Sequence, residues 1–334
     1  MAGNTAPVLA GDIGGTKTRL ALFQTDGAHL ECIGEHEYAS REHDSLDSII
    51  ADFNERHKQQ PAAACFGIAG PVRNNTVDVT NLPWEISATE LGLRFRIDRV
   101  ALLNDLEATA LGIVALDADD FHTLNHGTAD PAGNAAIIAA GTGLGEAGLC
   151  HDGSRYRPFA TEGGHTDFSP GDETEIALLC YLQRQYEHVS WERLLSGPGL
   201  VRIHAYLCQA RQQDLPDWLL NEQQDGDPAA AIATAARTAS DSVCRETLRL
   251  FIRLYGREAG NLALKTMATG GLYLGGGIAP KILDQLDGGD FMDTFCAKGR
   301  MRPLLESMPV KVILNDRAAL YGAALYGAGT SKQS

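Results

Sequence analysis

The chain has 334 residues, of which 44% are hydrophobic and 21% charged, and its formal net charge is -15. This length predicts about two domains, and a surface so acidic should repel nucleic-acid phosphates and anionic membranes, so we expect neither as a partner. Seven scattered cysteines without a CxxC pair, no basic leader in residues 1–7 and no apolar run of about 20 residues predict a cytoplasmic protein.

The predicted elements alternate between strands and helices. The first strands, at 8–10 and 18–23, flank a Gly-Gly turn, and Asp26-Gly27 closes the second with another turn. Further strands are predicted at 62–68, 100–103, 136–140, 147–150, 270–278 and 310–314. Helices are predicted at 106–116, 173–186, 198–210, 228–255, 258–267 and 317–326, with another beginning at Pro280 and a surface loop at 222–227.

One pattern occurs twice along the chain: a strand, a glycine turn, a second strand and an Asp-Gly pair. The second copy uses the strand at 136–140, the turn at 141–145 and Asp152-Gly153. Such a repeat is too long for a solenoid unit. It predicts two related α/β domains, each presenting a glycine hairpin to a shared cleft.

The first glycine turn, Gly11-Asp12-Ile13-Gly14-Gly15-Thr16, resembles a Walker loop only in part. Thr16 stands where the second Walker glycine is required, and the residues that follow predict a strand instead of a helix. We therefore predict a β-hairpin whose N–H groups bind phosphate, with Asp12 holding Mg²⁺ directly or through water. A purely structural hairpin is the alternative.

Two later glycine clusters complement the first. Gly141-Thr142-Gly143-Leu144-Gly145 is the matching hairpin, and Gly275-Gly276-Gly277 follows a strand. An ATP molecule stretched across a cleft would need donors from both walls, and the third cluster would let the backbone approach the nucleoside. An ordinary turn from strand to helix is the alternative for the third cluster.

Three other positions carry polar groups suited to chemistry. Asp105, after the strand at 100–103, suits a general base for an attacking hydroxyl, although an N-cap of the next helix explains it equally well. Glu162 and His165 flank two glycines and could bind sugar hydroxyls; a salt bridge within the loop is the alternative, and two ligands are too few for zinc. Glu192 alone is typical of a solvated helix residue.

Six segments, taken together and in order, resemble the bacterial glucokinase family of the actin-like, hexokinase-type ATPase superfamily. They are 11–17, 103–105, 140–145, 162–165, 196–200 and 275–278. The resemblance extends from about residue 8 to 327. One departure is Lys17-Thr18, where many glucokinases carry Asn-Ala; lysine there also occurs in a related group of repressors and kinases, whose cysteine-rich zinc motif this chain lacks.

The resemblance implies an α/β fold of two actin-like (ribonuclease H-like) domains around a cleft, with residues 1–112 plus 315–334 in the small domain and 113–314 in the large one. It implies ATP, Mg²⁺ and glucose as ligands, and a homodimer. Asp105 would be the general base. The expected sugar-binding residues are Asn104, Asp105, Glu162, His165, Glu192 and Asn81. The expected nucleotide-binding residues are Gly11, Asp12, Ile13, Gly14, Gly15, Thr16, Gly141, Thr142, Gly143 and Gly276, with Asp12 near the metal.

The sequence leaves other functions open. A kinase for another hexose or an amino sugar would carry the same motifs, because the Glu-Gly-Gly-His loop binds hydroxyls without revealing the epimer. The phosphate donor could be ATP or polyphosphate. A non-catalytic sugar sensor on the same fold is the alternative from another class, and the presence of Asp12, Asp105, Glu162 and His165 counts against it.

Overall fold

The computed structural model describes residues 6–25, 29–238 and 242–329, without the side chains at 224 and 225. The predicted turn at Asp26-Gly27 lies outside them. The strands are β1 Val8–Ile13, β2 Lys17–Thr25, β3 Leu30–Ala39, β4 Ala63–Ile68, β5 Thr76–Asp78, β6 Glu85–Ser87, β7 Arg99–Asn104, β8 Phe121–Asn125, β9 Ala135–Ala140, β10 Leu144–His151, β11 Tyr156–Thr161, β12 Gly271–Gly275 and β13 Val310–Ile313. The α-helices are α1 Leu46–His57, α2 Ala88–Phe95, α3 Asp105–Gly112, α4 Glu173–Gln183, α5 Gly197–Ala210, α6 Asp217–Asp225, α7 Pro228–Arg237, α8 Ser242–Thr266, α9 Leu283–Leu286, α10 Asp290–Cys296, α11 Arg302–Ser307 and α12 Ala318–Gly329.

The first sheet has five strands in the order β3-β2-β1-β4-β7. Strands β1, β4 and β7 run parallel, and β2 pairs antiparallel with β1. Alternate residues of β1 enter two cores, because Leu9 packs with the α1 side of the sheet and Ala10 with the α12 side. The parallel arrangement brings the carboxyl ends of β1, β4 and β7 to one edge of the sheet.

The second sheet has six strands in the order β11-β10-β9-β12-β13-β8. Its β9 pairs antiparallel with β10 and parallel with β12, which in turn runs parallel to β13. The first sheet has the same sequence of relationships in β2-β1-β4-β7. The predicted α/β fold class with a duplicated strand–glycine turn–strand unit is therefore confirmed.

The chain divides into two compact units. One contains the residues up to Asp120, Ser154–Ala160 and the residues from Asn315 onward, and the other contains Phe121–Gly153 and Thr161–Leu314. The domain boundaries inferred from the family remain a prediction. Throughout the described ranges, no helix has both the length and the apolar character needed to cross a bilayer.

Within the first unit, helices α3 and α12 cross with their backbones in contact. A Cβ on Gly322 would lie 1.8 Å from Ala108 O, and a Cβ on Gly112 would lie 1.9 Å from Ala318 O. Only glycine allows this approach. The small residues of α12 therefore fix the position of α3, which begins at Asp105.

Two predicted elements of the second unit were wrong. The surface loop predicted at 222–227 is largely helix α6, which Leu219 anchors in the core with no exposed surface. The break predicted between 255 and 258 is absent, because α8 runs unbroken through Gly256. A Cβ there would lie 2.2 Å from Phe291 O on α10, so this glycine serves helix packing and does not end a helix.

Candidate active site

The first glycine turn connects β1 to β2 as the predicted hairpin. Gly14 N donates to Lys17 O at 2.9 Å and closes the turn. Ser40, fully buried, holds the turn from below: its N–H donates to Thr16 O at 2.9 Å and its Oγ donates to Gly14 O at 2.8 Å. Sequence reasoning missed Ser40, because a serine distant in sequence carries no motif.

The residues of this hairpin differ in what they can offer a ligand. A Cβ on Gly11 would lie 2.4 Å from Phe66 Cδ1, so packing alone explains that glycine. The Ile13 side chain is buried in the core, which leaves only its backbone for a ligand. Gly15 lies beside the predicted sugar loop, since its Cβ would be 3.3 Å from Asn81 Cβ. Asn81 adopts the left-handed conformation that asparagine tolerates, with φ of 66°.

Asp12 and Asp105 lie at the same edge of the first sheet. Asp12 is on β1, and Asp105 follows β7. Gly67 on β4 separates them: a Cβ there would lie 3.8 Å from both Asp105 Cα and Gly11 O. Burial raises the pKa of Asp12 to about 6, with a further contribution from the negative charge of Asp105. Two carboxylates near one another are the arrangement that a divalent cation relieves.

Arg19 brings a positive charge close to Asp12. It stands opposite Asp12 in the β1–β2 ladder, and its charge lowers the Asp12 pKa, against the larger effect of burial. Arg19 Nε donates to Glu37 at 2.8 Å, and Arg19 Nη2 donates to Asp316 at 2.8 Å. Sequence reasoning also missed this residue; the strand register identifies it.

The structure shows which of Asn104 and Asp105 is the N-cap of α3. Asn104 is the N-cap of α3: its Oδ1 accepts from Leu106 N at 3.0 Å, and Glu107 accepts from Asn104 N at 3.1 Å. Asp105 is the first helical residue, and its Oδ1 also accepts from Leu106 N, at 2.9 Å. The cap predicted at Asp105 is therefore at Asn104, and the Asp105 carboxylate lies at the N-terminus of the helix.

The second glycine turn is joined to Glu192. Gly141 N donates to Gly143 O at 2.9 Å, and Gly197 N, at the start of α5, donates to Gly141 O at 2.8 Å. Glu192 Oε2 accepts from Leu144 N at 3.0 Å and fills the space where a Gly143 side chain would stand. Glu192 is therefore an integral part of the loop, whereas its sequence alone was typical of a solvated residue. Thr142 is exposed at the tip.

The third glycine cluster packs on the second turn. Gly276 has φ of 78°, and a Cβ on it would lie 2.3 Å from Ala140 O. Ile278 N donates to the same carbonyl at 3.2 Å. Gly141 and Gly277 differ from Gly276, because a Cβ on either would meet nothing within 4 Å. Packing within the chain does not require glycine at those two positions, whereas close approach of a ligand would.

The loop that carries Glu162 and His165 lies on β10. Gly164 rests against it, since a Cβ there would be 2.1 Å from Leu144 O. The Glu162 and His165 side chains are largely exposed, and His165 Nε2 lies 3.9 Å from Glu162 Oε2. This contact corresponds to the loop salt bridge considered from sequence, but it is long and leaves both groups open to a hydroxylated ligand.

Mg²⁺ fits the acidic edge of the first unit better than it fits a dedicated protein cage. Among the described side chains, no three His, Cys, Asp or Glu residues gather into a metal-binding group. Mg²⁺ commonly binds through one or two carboxylates and the substrate phosphates, keeping several waters. Asp12, beside the hairpin predicted to bind phosphate, meets that description.

The chain is similar to known proteins both in sequence and in fold. The glucokinase family model matches residues 9–330. A glucokinase from Trichormus variabilis is 43% identical over 340 residues, covering 96% of this chain and 98% of the relative. The crystal structure of a glucokinase from an Antarctic psychrotroph is 30% identical, with a TM-score of 0.88, and covers 97% of this chain and 99% of its own.

A more distant structure shares the fold. It is a ROK family glucokinase from Streptomyces griseus in complex with glucose and AMPPNP, 22% identical, with a TM-score of 0.64 and coverage of 97% of this chain and 100% of its own. The family model and the full-length relative together decide the assignment: the chain belongs to the glucokinase family.

Proposed function

We propose that this member of the glucokinase family transfers the γ-phosphoryl group of MgATP to the 6-hydroxyl of D-glucose, giving glucose 6-phosphate and ADP. The observation that carries the proposal is the edge of the first sheet, where a glycine hairpin, Asp12 and Asp105 come together. The glucokinase relatives, 35–43% identical over nearly the full chain, support glucose as the acceptor.

Asp105 acts as the general base. Its carboxylate accepts the proton of the glucose 6-hydroxyl while the O6 atom forms a bond to the γ-phosphorus. The bond from the γ-phosphorus to the bridging oxygen breaks, and ADP leaves with that oxygen. The Leu106 N–H, 2.9 Å from Asp105 Oδ1, fixes the orientation of the carboxylate. The Asn104 cap holds the helix that carries it.

The nucleotide binds through backbone groups and Mg²⁺. Gly14, Gly15 and Thr16 offer N–H groups of the first hairpin, and 141–143 offer those of the second. Asp12 would hold Mg²⁺, which supplies neutralisation of phosphate charge when bound. The position of Asp12 near Asp105 supports this role, because the negative charge of Asp105 disfavours ionisation of Asp12 without a cation.

The sugar binds through side chains that both accept and donate hydrogen bonds. Glu162 and His165 are exposed on their loop, and Glu192 joins the sugar contacts to the second glycine turn through Leu144 N. Asn104 and Asn81 complete the set in the first unit.

A hexose panel tests the proposal. ADP formation is followed with a coupled assay for glucose, mannose, fructose, glucosamine and N-acetylglucosamine, and glucose 6-phosphate is measured separately with its dehydrogenase. Glucose should give the highest kcat/KM, with one glucose 6-phosphate per ADP. Higher kcat/KM for another hexose would reassign the acceptor. Absence of sugar-stimulated ADP formation would replace the kinase with a sensor.

The remaining properties implied by the family are proposals too. We infer a homodimer in the cytoplasm, with ATP and not polyphosphate as the donor. The acidic net charge of -15 supports the absence of nucleic-acid and membrane partners. Light scattering gives the oligomeric mass directly, and comparing ATP with polyphosphate in the same assay identifies the donor.

A further inference from the structure

Glu146 is a buried carboxyl group with no assigned role. It lies on β10, and only 3% of its surface is exposed. Its Oε1 has no hydrogen-bond partner among the described residues. Buried side-chain oxygens are usually paired, so an orphaned one calls for an explanation. The other carboxyl oxygen, Oε2, lies beside Gly163 of the loop that carries Glu162 and His165.

The loop rests on Glu146 through two contacts. The Glu146 carboxyl occupies the space beside Gly163: a Cβ added to Gly163 would lie 1.9 Å from Glu146 Oε2. Thr161 Oγ1 donates to Glu146 O at 3.1 Å and accepts from Gly163 N at 3.2 Å. Gly163 stands between Glu162 and His165, so the height of Gly163 above β10 sets where both of those side chains project.

The surroundings of Glu146 favour its neutral form. Burial, and after it the charge of Glu258 on α8, raise the pKa of Glu146 to about 8, against the opposing charge of Lys265. The Glu258 carboxyl is itself buried, accepts from Asn261 Nδ2 at 2.7 Å and lies 3.5 Å from Lys265 Nζ. Lys298 donates to Asn261, so its charge belongs to the Glu258 side of the cluster.

The other elements around Glu146 bring a mixed set of groups. Strand β9 places the apolar Ile138 opposite it in register. The loop above it carries Glu162 and His165, which point to solvent and pair loosely with each other. No described cation forms a salt bridge with the Glu146 carboxyl. An uncharged carboxyl suits this position, because an unpaired buried charge is costly.

We propose that Glu146 is a positioning residue for sugar binding: its side chain supports Gly163 from β10 and so fixes Glu162 and His165 for the hydroxyls of the sugar. The proposal rests on the function proposed above. It separates from that function in experiment, because the contact between Glu146 and Gly163 can be measured without turnover. A residue with a purely structural role would change stability without changing sugar affinity selectively.

A double-mutant cycle tests the contact. Gly163→Ala should raise the KM for glucose about tenfold with kcat nearly unchanged, because the new methyl group meets a carboxyl that cannot swing into solvent. Adding Glu146→Ala should recover most of that loss by making room. Gly164→Ala is the matched control: its methyl group would meet the backbone oxygen of Leu144, which Glu146→Ala does not move.

The thermal midpoints of wild type, the three single variants at positions 146, 163 and 164, and the two double variants provide a readout that does not need turnover. Coupling between positions 146 and 163, with additive effects between 146 and 164, supports the proposal. Additive effects at 146 and 163, both in midpoint and in glucose KM, would overturn it. Failure of wild-type turnover would instead overturn the proposed function and leave the midpoint cycle interpretable.

Glu146→Gln separates shape from charge. At pH 7 the variant should match wild type in glucose KM, because the native carboxyl is protonated there. As pH rises through about 8, wild-type Glu146 ionises beneath the loop, and its KM should rise several-fold while that of Glu146→Gln stays flat. An equal rise in both proteins would show that Glu146 does not control the loop.

Discussion

Asp12, which we propose to hold Mg²⁺, lowers folding stability when it is ionised. Its pKa is raised from 3.8 to about 6, so the folded protein holds an ionised Asp12 less readily than the unfolded chain does. By linkage, the stability is fully present below pH 4 and falls as pH rises through 6. The shift corresponds to about 3 kcal/mol. A bound Mg²⁺ would return part of this free energy when the nucleotide arrives.

Asp12→Asn should therefore make the free protein more stable and less active. We expect the free energy of unfolding to rise by about 2 kcal/mol above pH 6, with a gain near zero at pH 4, because asparagine carries no charge to bury. Urea unfolding at several pH values measures the effect. Asp98→Asn, on an exposed residue of the same unit, is the control. A gain that does not depend on pH would contradict this explanation.

Candidate site residues could be predicted from sequence where a local pattern marked them. Glycine and acid spacing singled out Asp12 and the Glu162–His165 loop, and its position after a predicted strand singled out Asp105. Ser40 and Arg19 could not be, because one supports the hairpin from a distant position and the other is defined by strand register. Glu192 lacked any local pattern, since its contact with Leu144 N depends on tertiary structure.

At the scale of elements, the crossing of α3 and α12 positions Asp105, the proposed general base. Helix α12 is rich in alanine and glycine, and its Gly322 lies directly against the backbone of Ala108 on α3. An element defined by small residues was predicted as a helix from composition. Its packing partner could not be predicted, because alanine-rich faces carry no strong amphipathic pattern.

Gly322→Ala should destabilise the first unit by about 2 kcal/mol or more, although alanine favours a helix by about 1 kcal/mol over glycine. The added methyl group would lie 1.8 Å from Ala108 O, and a backbone oxygen cannot move aside cheaply. Displacement of α3 should also lower kcat. Gly329→Ala, in the same helix and facing open space, is the control and should be neutral in denaturant unfolding. Equal effects of both substitutions would refute the crossing as the cause.

Predicted element boundaries were wrong where tertiary packing, and not the local sequence pattern, determines the structure. Gly256 was taken as a break in a helix, but it lies within α8 to allow the close approach of α10. The polar residues of α6 suggested a loop, although Leu219 anchors that helix. Edge strand β3 and helix α1 were not predicted, because four of the ten residues of β3 are Glu or His and interrupt its apolar pattern, and α1 begins at a cap, Ser45, without a strong motif around it.

At the scale of the molecule, the internal repeat was the most informative feature of the sequence. The repeated strand–glycine turn–strand unit predicted two related α/β domains, and in the structure two sheets share the same strand relationships. The glycine spacing carried this information because a tight turn restricts the residue type. The number of additional strands at the sheet edges depends on long-range pairing, which no local pattern encodes.

We propose Asp105 as the general base for phosphoryl transfer to glucose. The most direct measurement compares glucose binding by titration calorimetry with kcat for wild type, Asp105→Asn and the control Asp98→Asn. We expect Asp105→Asn to bind glucose within a few-fold of wild type but to lose about a thousandfold in kcat, since general-base catalysis contributes about 10²–10⁴-fold. The control should match wild type. Near-normal kcat in Asp105→Asn would show that Asp105 is not the general base.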